Sequence, residues 1–539
     1  MERPKSDTRR NFFRVAGAGV TGAALGVAAG SPAAAEAQGS PAHGSGVFSV
    51  REFGAIGDGQ TIETAAINRA IDAAEAAGGG TVVFPAGTYA SYSIHLKSNV
   101  ELHLERGATI LAAEGAHYDA AEPNQPWEAY QDYGHNHWHN SLLWGEDLHD
   151  VSITGPGLIH GKGLTKTESG PGRAQEPGMG DKSIALKNCH NVLLRDFSIL
   201  QGGWFGILAT GVDNLTIDNL LIDTNRDGMD IDCCRNVRVS NCTVNSPWDD
   251  GICLKSSYAL GKPRATENVT ITNCYVSGSW VMGTLLDGTW QKYGPDEKVS
   301  RTGRIKFGTE SNGGFISITV SNCVFEGCNG FALESEDGAR LEDVTITNIT
   351  MRDIVTAPLF VRLGSRLRGP AESTKTGSIR RVMFSNIVCW NAASKLCSIL
   401  SGVPDASIED ITLHDVLIVC QGGGTAEQGT IQPPENEQKY PDPAMFGPMP
   451  AFGFYVRHVT GLSMSNVQIK TIAPDARPAL VLQDVQDANF FRIQAQTAAG
   501  SPVFALHSVA NFAIRYSEPV PDTRLPTADN LTLPESRMA

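Results

Sequence analysis

"NVRVSNCTV", residues 236–244, alternates apolar and polar residues and places asparagine at its first and sixth positions. Alternation of period two marks a strand with one buried face. The pattern recurs as "NVLLRDFSI" (191–199), "NLTIDNLLI" (214–222), "NVTITNCYV" (268–276), "SITVSNCVF" (317–325) and "DVTITNITM" (343–351). The first three copies start 23 and 22 residues apart, and the longer later intervals read as loop insertions. A period of roughly 20–25 residues with two or three short strands per repeat predicts a parallel β-helix. Coils then stack about 4.8 Å apart, and like residues form ladders along the axis. Asparagine at the turns is suited to satisfying neighbouring backbone groups.

The rest of the chain fits around these coils. "FGAIGDGQTIETAAINRAIDAAEAAGGGTVVFPAGTY" (53–89) predicts one amphipathic helix over 62–77, with Ile62, Ala66, Ile67, Ala70 and Ile71 on one face and Gly78–Gly80 as its stop. A solenoid needs its open end covered, and this helix is the candidate cap. Weaker repeats continue at 378–390, 407–419 and 460–468, and residues 421–450, rich in Gly, Pro and Glu, predict one long loop. We expect a single all-β catalytic domain over 38–525 and a tail over 526–539.

Cys242, Cys274 and Cys323 share one repeat position, and Cys189 in "LKNCHN" resembles it. Eleven cysteines cannot all pair internally, and stacked small apolar side chains inside the coils explain their positions. Cys233–Cys234 lacks a CxxC partner pattern, so zinc is not expected.

Across the 539 residues, 41% hydrophobic and 19% charged content define a globular protein, and 57 glycines fit a turn-rich β architecture. A net charge of −15 argues against nucleic acid or an anionic membrane as partner, though a local basic pocket for an anionic substrate remains open. Residues 1–37, with Arg9–Arg10, an Ala/Gly-rich apolar stretch and an Ala-Glu-Ala site, resemble a twin-arginine export signal. The expected mature protein is periplasmic or secreted.

Chemistry concentrates in "TNRDGMDID" (224–232) and "SPWDDGICLKSS" (246–257). Asp227 precedes Asp249 by 22 residues and Asp250 by 23, one coil, so three carboxylates meet on one wall. Asp230 and Asp232 are free to face either way. Alone, Asp-Asp-Gly is ordinary turn chemistry. Clustered carboxylates cannot all ionise cheaply, so one retains a proton while its neighbours activate water, the division of labour in glycoside hydrolysis. An inverting pair stands about 6.5–9.5 Å apart, a spacing that diverging side chains on successive coils can reach. The same cluster also suits calcium in a β-helical lyase, and a non-catalytic carbohydrate-binding or adhesin solenoid remains a third reading.

With "FPAGTY", "VSITGPGLIHGKG" (151–163), "YPDPAMFG" and "FGFYVRHV", these motifs resemble glycoside hydrolase family 28 over roughly residues 46–470. The resemblance implies a right-handed parallel β-helix and inversion by three aspartates without metal or cofactor. It assigns Asp249 as general acid, with Asp227 and Asp250 holding and activating water. Two departures stand out. Thr302, in "RTGRIKFGTESNGG" (301–314), sits where the family has a Gly-His-Gly histidine, and no histidine occurs between His190 and His414. Arg304–Lys306 spell the family's Arg-Ile-Lys but fall one coil early, so we read them as a decoy; Ala332 and Glu334 occupy the matching positions. Both departures point to a neutral sugar, which within the family implies rhamnose at the cleaved bond of a rhamnogalacturonan-type substrate, and the long insertions, which can close a groove, point to exo action.

The other substrate-binding candidates are Lys255, Trp204, Lys306, Glu310, Glu334 and Thr302, joined by His137 and Trp138 from "NQPWEAYQDYGHNHWHN" (124–140). In that stretch Trp127, Tyr130, Tyr133 and Trp138 suit sugar stacking. The stretch is read first as a cleft wall, with one of His135, His137 and His139 a candidate to replace the missing histidine, then as simple loop packing, then as a metal tract.

Overall fold

The computed structural model describes residues 46–132, 134–165 and 176–534. The expected export signal, Tyr133 and the end of the expected tail lie outside the described residues. The chain forms a right-handed parallel β-helix, with 36 strands among the described residues. Right-handed crossovers follow from strand twist.

Early coils carry three strands each. Phe205–Thr210, Asp213–Asp218 and Leu221–Asp223 lie under Asp227–Asp232, Arg235–Ser240 and Thr243–Asn245. From Phe315–Glu326 onward the second and third strands run on as one, as in Arg340–Arg352 and Ser378–Ala392. Inward apolar residues of all coils join into one continuous core.

The corners explain the asparagines. Asn191, Asn214, Asn236 and Asn268 take left-handed φ angles of 57–58°, which asparagine tolerates better than most residues. Their side-chain amides bond to each other up the axis: Asn214 to Asn191 at 3.0 Å, Asn236 to Asn214 at 3.2 Å and Asn268 to Asn236 at 3.3 Å. The ladder is therefore side chain to side chain.

The capping helix is Thr64–Ala76, with Ala66, Ile67, Ala70, Ile71 and Ala74 buried against the first coils. Ile62 does not join its apolar face: it ends the strand Asp58–Ile62 and is exposed. At the other end, residues expected as a tail from 526 are largely structured. Thr523–Ala528 and Leu531–Leu533 pair antiparallel with Phe504–Arg515, covering an edge that would otherwise template further pairing.

All eleven cysteines are free and buried. Strand register moves Cys189 to a different ladder. The amides of Asp213 and Arg235 bond to the carbonyls of Cys189 and Val212, so Cys189 stacks with Val212 and Cys234. Cys242, Cys274 and Cys323 do stack together.

Candidate active site

The strands Asp227–Asp232, Ile252–Ser256, Ile305–Ser311 and Phe331–Ser335 form successive rungs of one sheet. Met229 pairs with Ile252, which places Asp227 level with Asp250. Gly228 permits that approach, because a Cβ there would collide with the Gly251 carbonyl. Met229 and Ile231 point into the core, while Asp230 meets Lys255 and His135 on the outer side.

One carboxylate oxygen from each of Asp227, Asp249 and Asp250 lies within 4.8 Å of the others. That is closer than the expected inverting separation, so spacing alone does not set the stereochemical outcome. Asp227 and Asp250 are buried; the Asp249 side chain keeps 25% of its surface accessible.

The three carboxylates differ electrostatically. Burial raises Asp227 well above the usual carboxylate range, and the charges of Asp249 and Asp230 add to the rise. Burial also raises Asp249, opposed by Arg226, whose Nη2 donates to Oδ2 at 2.6 Å. For Asp250, burial would raise the pKa, but Lys306, Arg304 and Lys255 outweigh it and hold the group below its ordinary value. The Arg304 Nε donates to Asp250 Oδ1 at 2.9 Å, and Lys306 Nζ lies 3.3 Å from Oδ2. The cluster thus favours the ionised form of Asp250 and the protonated forms of Asp227 and Asp249 relative to ordinary carboxylates.

Arg304 has a role that the decoy reading did not foresee. It lies in the coil directly after Asp250, as expected, but that coil places it in contact with the cluster. Glu334, fully buried, lies 3.5 Å from Lys306 and 3.9 Å from Arg304, matching both cations. Thr302 contributes through its backbone: its amide bonds to Pro247, while that of Gly303 bonds to the Asp249 carbonyl at 2.8 Å. Together they fix the loop that carries Asp249.

The remaining candidates separate into two groups. Lys255 pairs with Glu310 at 2.8 Å, and Glu310 with Arg368 at 2.7 Å. Arg368 also reaches Asp132 in the 121–139 insertion at 2.8 Å, so this chain closes one side of the site. Lys306 further contacts the Tyr440 hydroxyl at 3.3 Å, bringing the 421–450 loop over the cluster. Trp204 acts through Arg226, whose guanidinium stacks 4.1 Å above its ring.

His137 and Trp138 do not join the cluster. His137 is buried within the insertion, where burial pushes its pKa down to about 4. Trp138 donates to Thr210 and lies under Lys187. His135 instead faces the site, with Nε2 3.5 Å from the fully buried Asp230. Glu122, His139 and Glu146 do cluster within metal-ligand reach, yet Lys187 already holds Glu146 at 2.7 Å. Sequence reasoning missed Arg226, Asp132, Arg368 and Tyr440. Only Arg226, next to Asp227, carried a local signal.

Comparisons with known proteins agree with this architecture. Residues 47–120 match the family described as rhamnogalacturonase A/epimerase, pectate lyase-like, and residues 177–294 match the right-handed β-helix region. The chain is 27% identical over 223 residues to a probable polygalacturonase of Vitis vinifera, covering 39% of this chain and 44% of that protein. It is 26% identical over 219 residues to an exo-poly-α-D-galacturonosidase of Dickeya chrysanthemi, covering 39% and 34%. The matched stretches thus span less than half of either relative. The solved structure of a family 28 exopolygalacturonase from Yersinia enterocolitica superposes with a TM-score of 0.55 at 19% identity, covering 87% of this chain and 78% of that one.

Proposed function

We propose that this protein is an exported, exo-acting glycoside hydrolase that releases a neutral sugar, rhamnose, from rhamnogalacturonan-type pectic oligosaccharides. The observation that carries the hydrolase reading is the three-carboxylate wall, with the ionised form favoured at Asp250 and the protonated form at Asp227 and Asp249. Asp249 is the most accessible of the three, which supports its role as general acid to the glycosidic oxygen. Asp250 accepts a proton from the attacking water, and Asp227 helps to hold that water. Inversion rests on the family resemblance.

Flanking cations argue against a divalent metal at the wall. Arg226, Arg304 and Lys306 already supply positive charge there. The neutral sugar rests on the pairing of those cations: each faces a protein carboxylate, so a substrate carboxylate would have to displace one. The exo mode rests on the closures made by Asp132–Arg368 and Tyr440. Export rests on residues 1–37.

The experiment is incubation with defined pectic oligosaccharides, followed by time-resolved NMR. We expect free rhamnose from the non-reducing end, first formed with the configuration opposite to the cleaved bond. Release of galacturonate would favour the second reading, a galacturonidase, which the names of the relatives support. An unsaturated product would replace the hydrolase with a lyase.

A further inference from the structure

A cavity of about 1080 Å³ lies outside the carboxylate wall, and none of Asp227, Asp249 or Asp250 lines it. Its walls come from the 121–139 insertion and from the turns after the sheet rungs, including residues 259–265. Its size slightly exceeds the ~300–1,000 Å³ range of ordinary ligand pockets, which suits an oligosaccharide better than one sugar.

Trp127 is set into this cavity as a fixed platform. Its Nε1 donates to the Ala259 carbonyl at 3.1 Å, so the ring position is satisfied within the protein. The indole lies against Gly261, whose φ is +72° and where a Cβ would come within 2.7 Å of the ring. Only glycine accommodates both the backbone and that contact. Asn136, 4% exposed, also lines the cavity; its Nδ2 bonds to Glu128, while its Oδ1 has no hydrogen-bond partner. A buried amide oxygen of this kind is a ready acceptor for a ligand hydroxyl.

The charged lining of the cavity is mostly paired, which leaves one exposed lysine. Lys187, Arg235, Lys262, Arg264 and Arg340 line it, against Glu122, Glu146 and Glu267. Four of these cations already face a protein carboxylate: Lys187 pairs with Glu146 at 2.7 Å, Arg235 with Glu267 at 2.9 Å, Arg264 with Asp213 at 2.5 Å and Arg340 with Glu342 at 3.0 Å. Lys262 is exposed at the turn beside Gly261. A stacking platform, a hydroxyl-directed acceptor and an exposed lysine beside them are elements that can recognise an acidic saccharide.

We propose that this cavity is a second carbohydrate-binding site, which holds a uronic acid-containing stretch of chain while the carboxylate wall acts elsewhere. The choice of a pectic chain rests on the proposed function; the anionic-saccharide chemistry rests on the cavity itself.

Affinity electrophoresis of the full chain in gels containing polygalacturonate tests it, with neutral dextran as the control. We expect retardation by polygalacturonate alone, weakening as salt is added. Lys262→Glu and Trp127→Ala should each weaken apparent affinity at least about fivefold, with thermal melting as the check on folding. Lys262 is exposed, so its variant keeps the test open if Trp127→Ala misfolds. Unchanged retardation in Lys262→Glu and in whichever Trp127 variant folds, no retardation of the wild type, or equal retardation by dextran would overturn the proposal. Absence of product from every oligosaccharide would count against the hydrolase and leave the gel result standing.

Discussion

Arg304 and Asp249 show how single residues set the chemistry of the wall. Arg304 helps keep Asp250 ionised, so Arg304→Gln should raise the Asp250 pKa and move the acid limb of the pH–rate profile to higher pH by about one unit. The change also removes one partner of a buried ion pair, at a cost of about 3–5 kcal/mol in stability. An unmoved acid limb in folded variant protein would remove Asp250 as the base. Asp249→Asn should lower turnover by about 10²–10⁴-fold with little change in melting temperature. A substrate with a good leaving group should restore much of that loss if Asp249 is the acid. The aspartates were readable because one coil separates them, and the period is visible in the sequence. The rung of Arg304 was read correctly, but its contact with Asp250 was not foreseen, because the period gives the rung and not the reach of a long side chain. His135 could not be chosen over His137, because an insertion has no period to fix which side chains turn inward.

At the scale of elements, the corner ladders do work that alternation alone does not reveal. Asn236 combines a left-handed backbone with amide bonds to the coils on either side. Asn236→Ala should cost about 1–2 kcal/mol, measured by denaturant unfolding, because alanine keeps a Cβ but loses the polar side chain that makes the left-handed backbone tolerable. Asn236→Gly should cost less, since glycine accepts the backbone and loses only the ladder bonds. Equal losses would assign the residue's value to its hydrogen bonds. The capping helix was predicted from its apolar face, but its start was placed early because Ile62 matches that spacing from within a strand. The closing strands at 523–533 escaped notice because they pair antiparallel and share no repeat with the coils.

For the whole molecule, the 421–450 loop ties a distant segment to the site. His458 lies between Asp484 at 2.6 Å and Glu435 at 3.2 Å, and Arg457 bonds to the carbonyls of Pro433 and Pro434. Burial alone would lower the His458 pKa, but the two carboxylates raise it. The charged pairing therefore contributes fully below the unfolded value of about 6.5 and is lost as pH rises through the higher folded value. Limited proteolysis within 421–450 should quicken over that window, and His458→Asn should remove the pH dependence. A cleavage rate flat with pH in the wild type would show that the loop is held without this charge.

The stacking of coils also orders events during synthesis. Asp227, Asp250 and Arg304 come from three consecutive rungs, and a solenoid can propagate coil by coil from local contacts. The wall can therefore assemble while the last third of the chain is still being made. Arg368 meets Asp132 across 236 positions of sequence, and Tyr440 arrives later still. A nascent chain would thus possess an open, unselective groove before it possesses a pocket. On the proposed function, cleavage capacity would be set early and discrimination late, so a chain truncated before Arg368 should accept substrates that the full chain excludes.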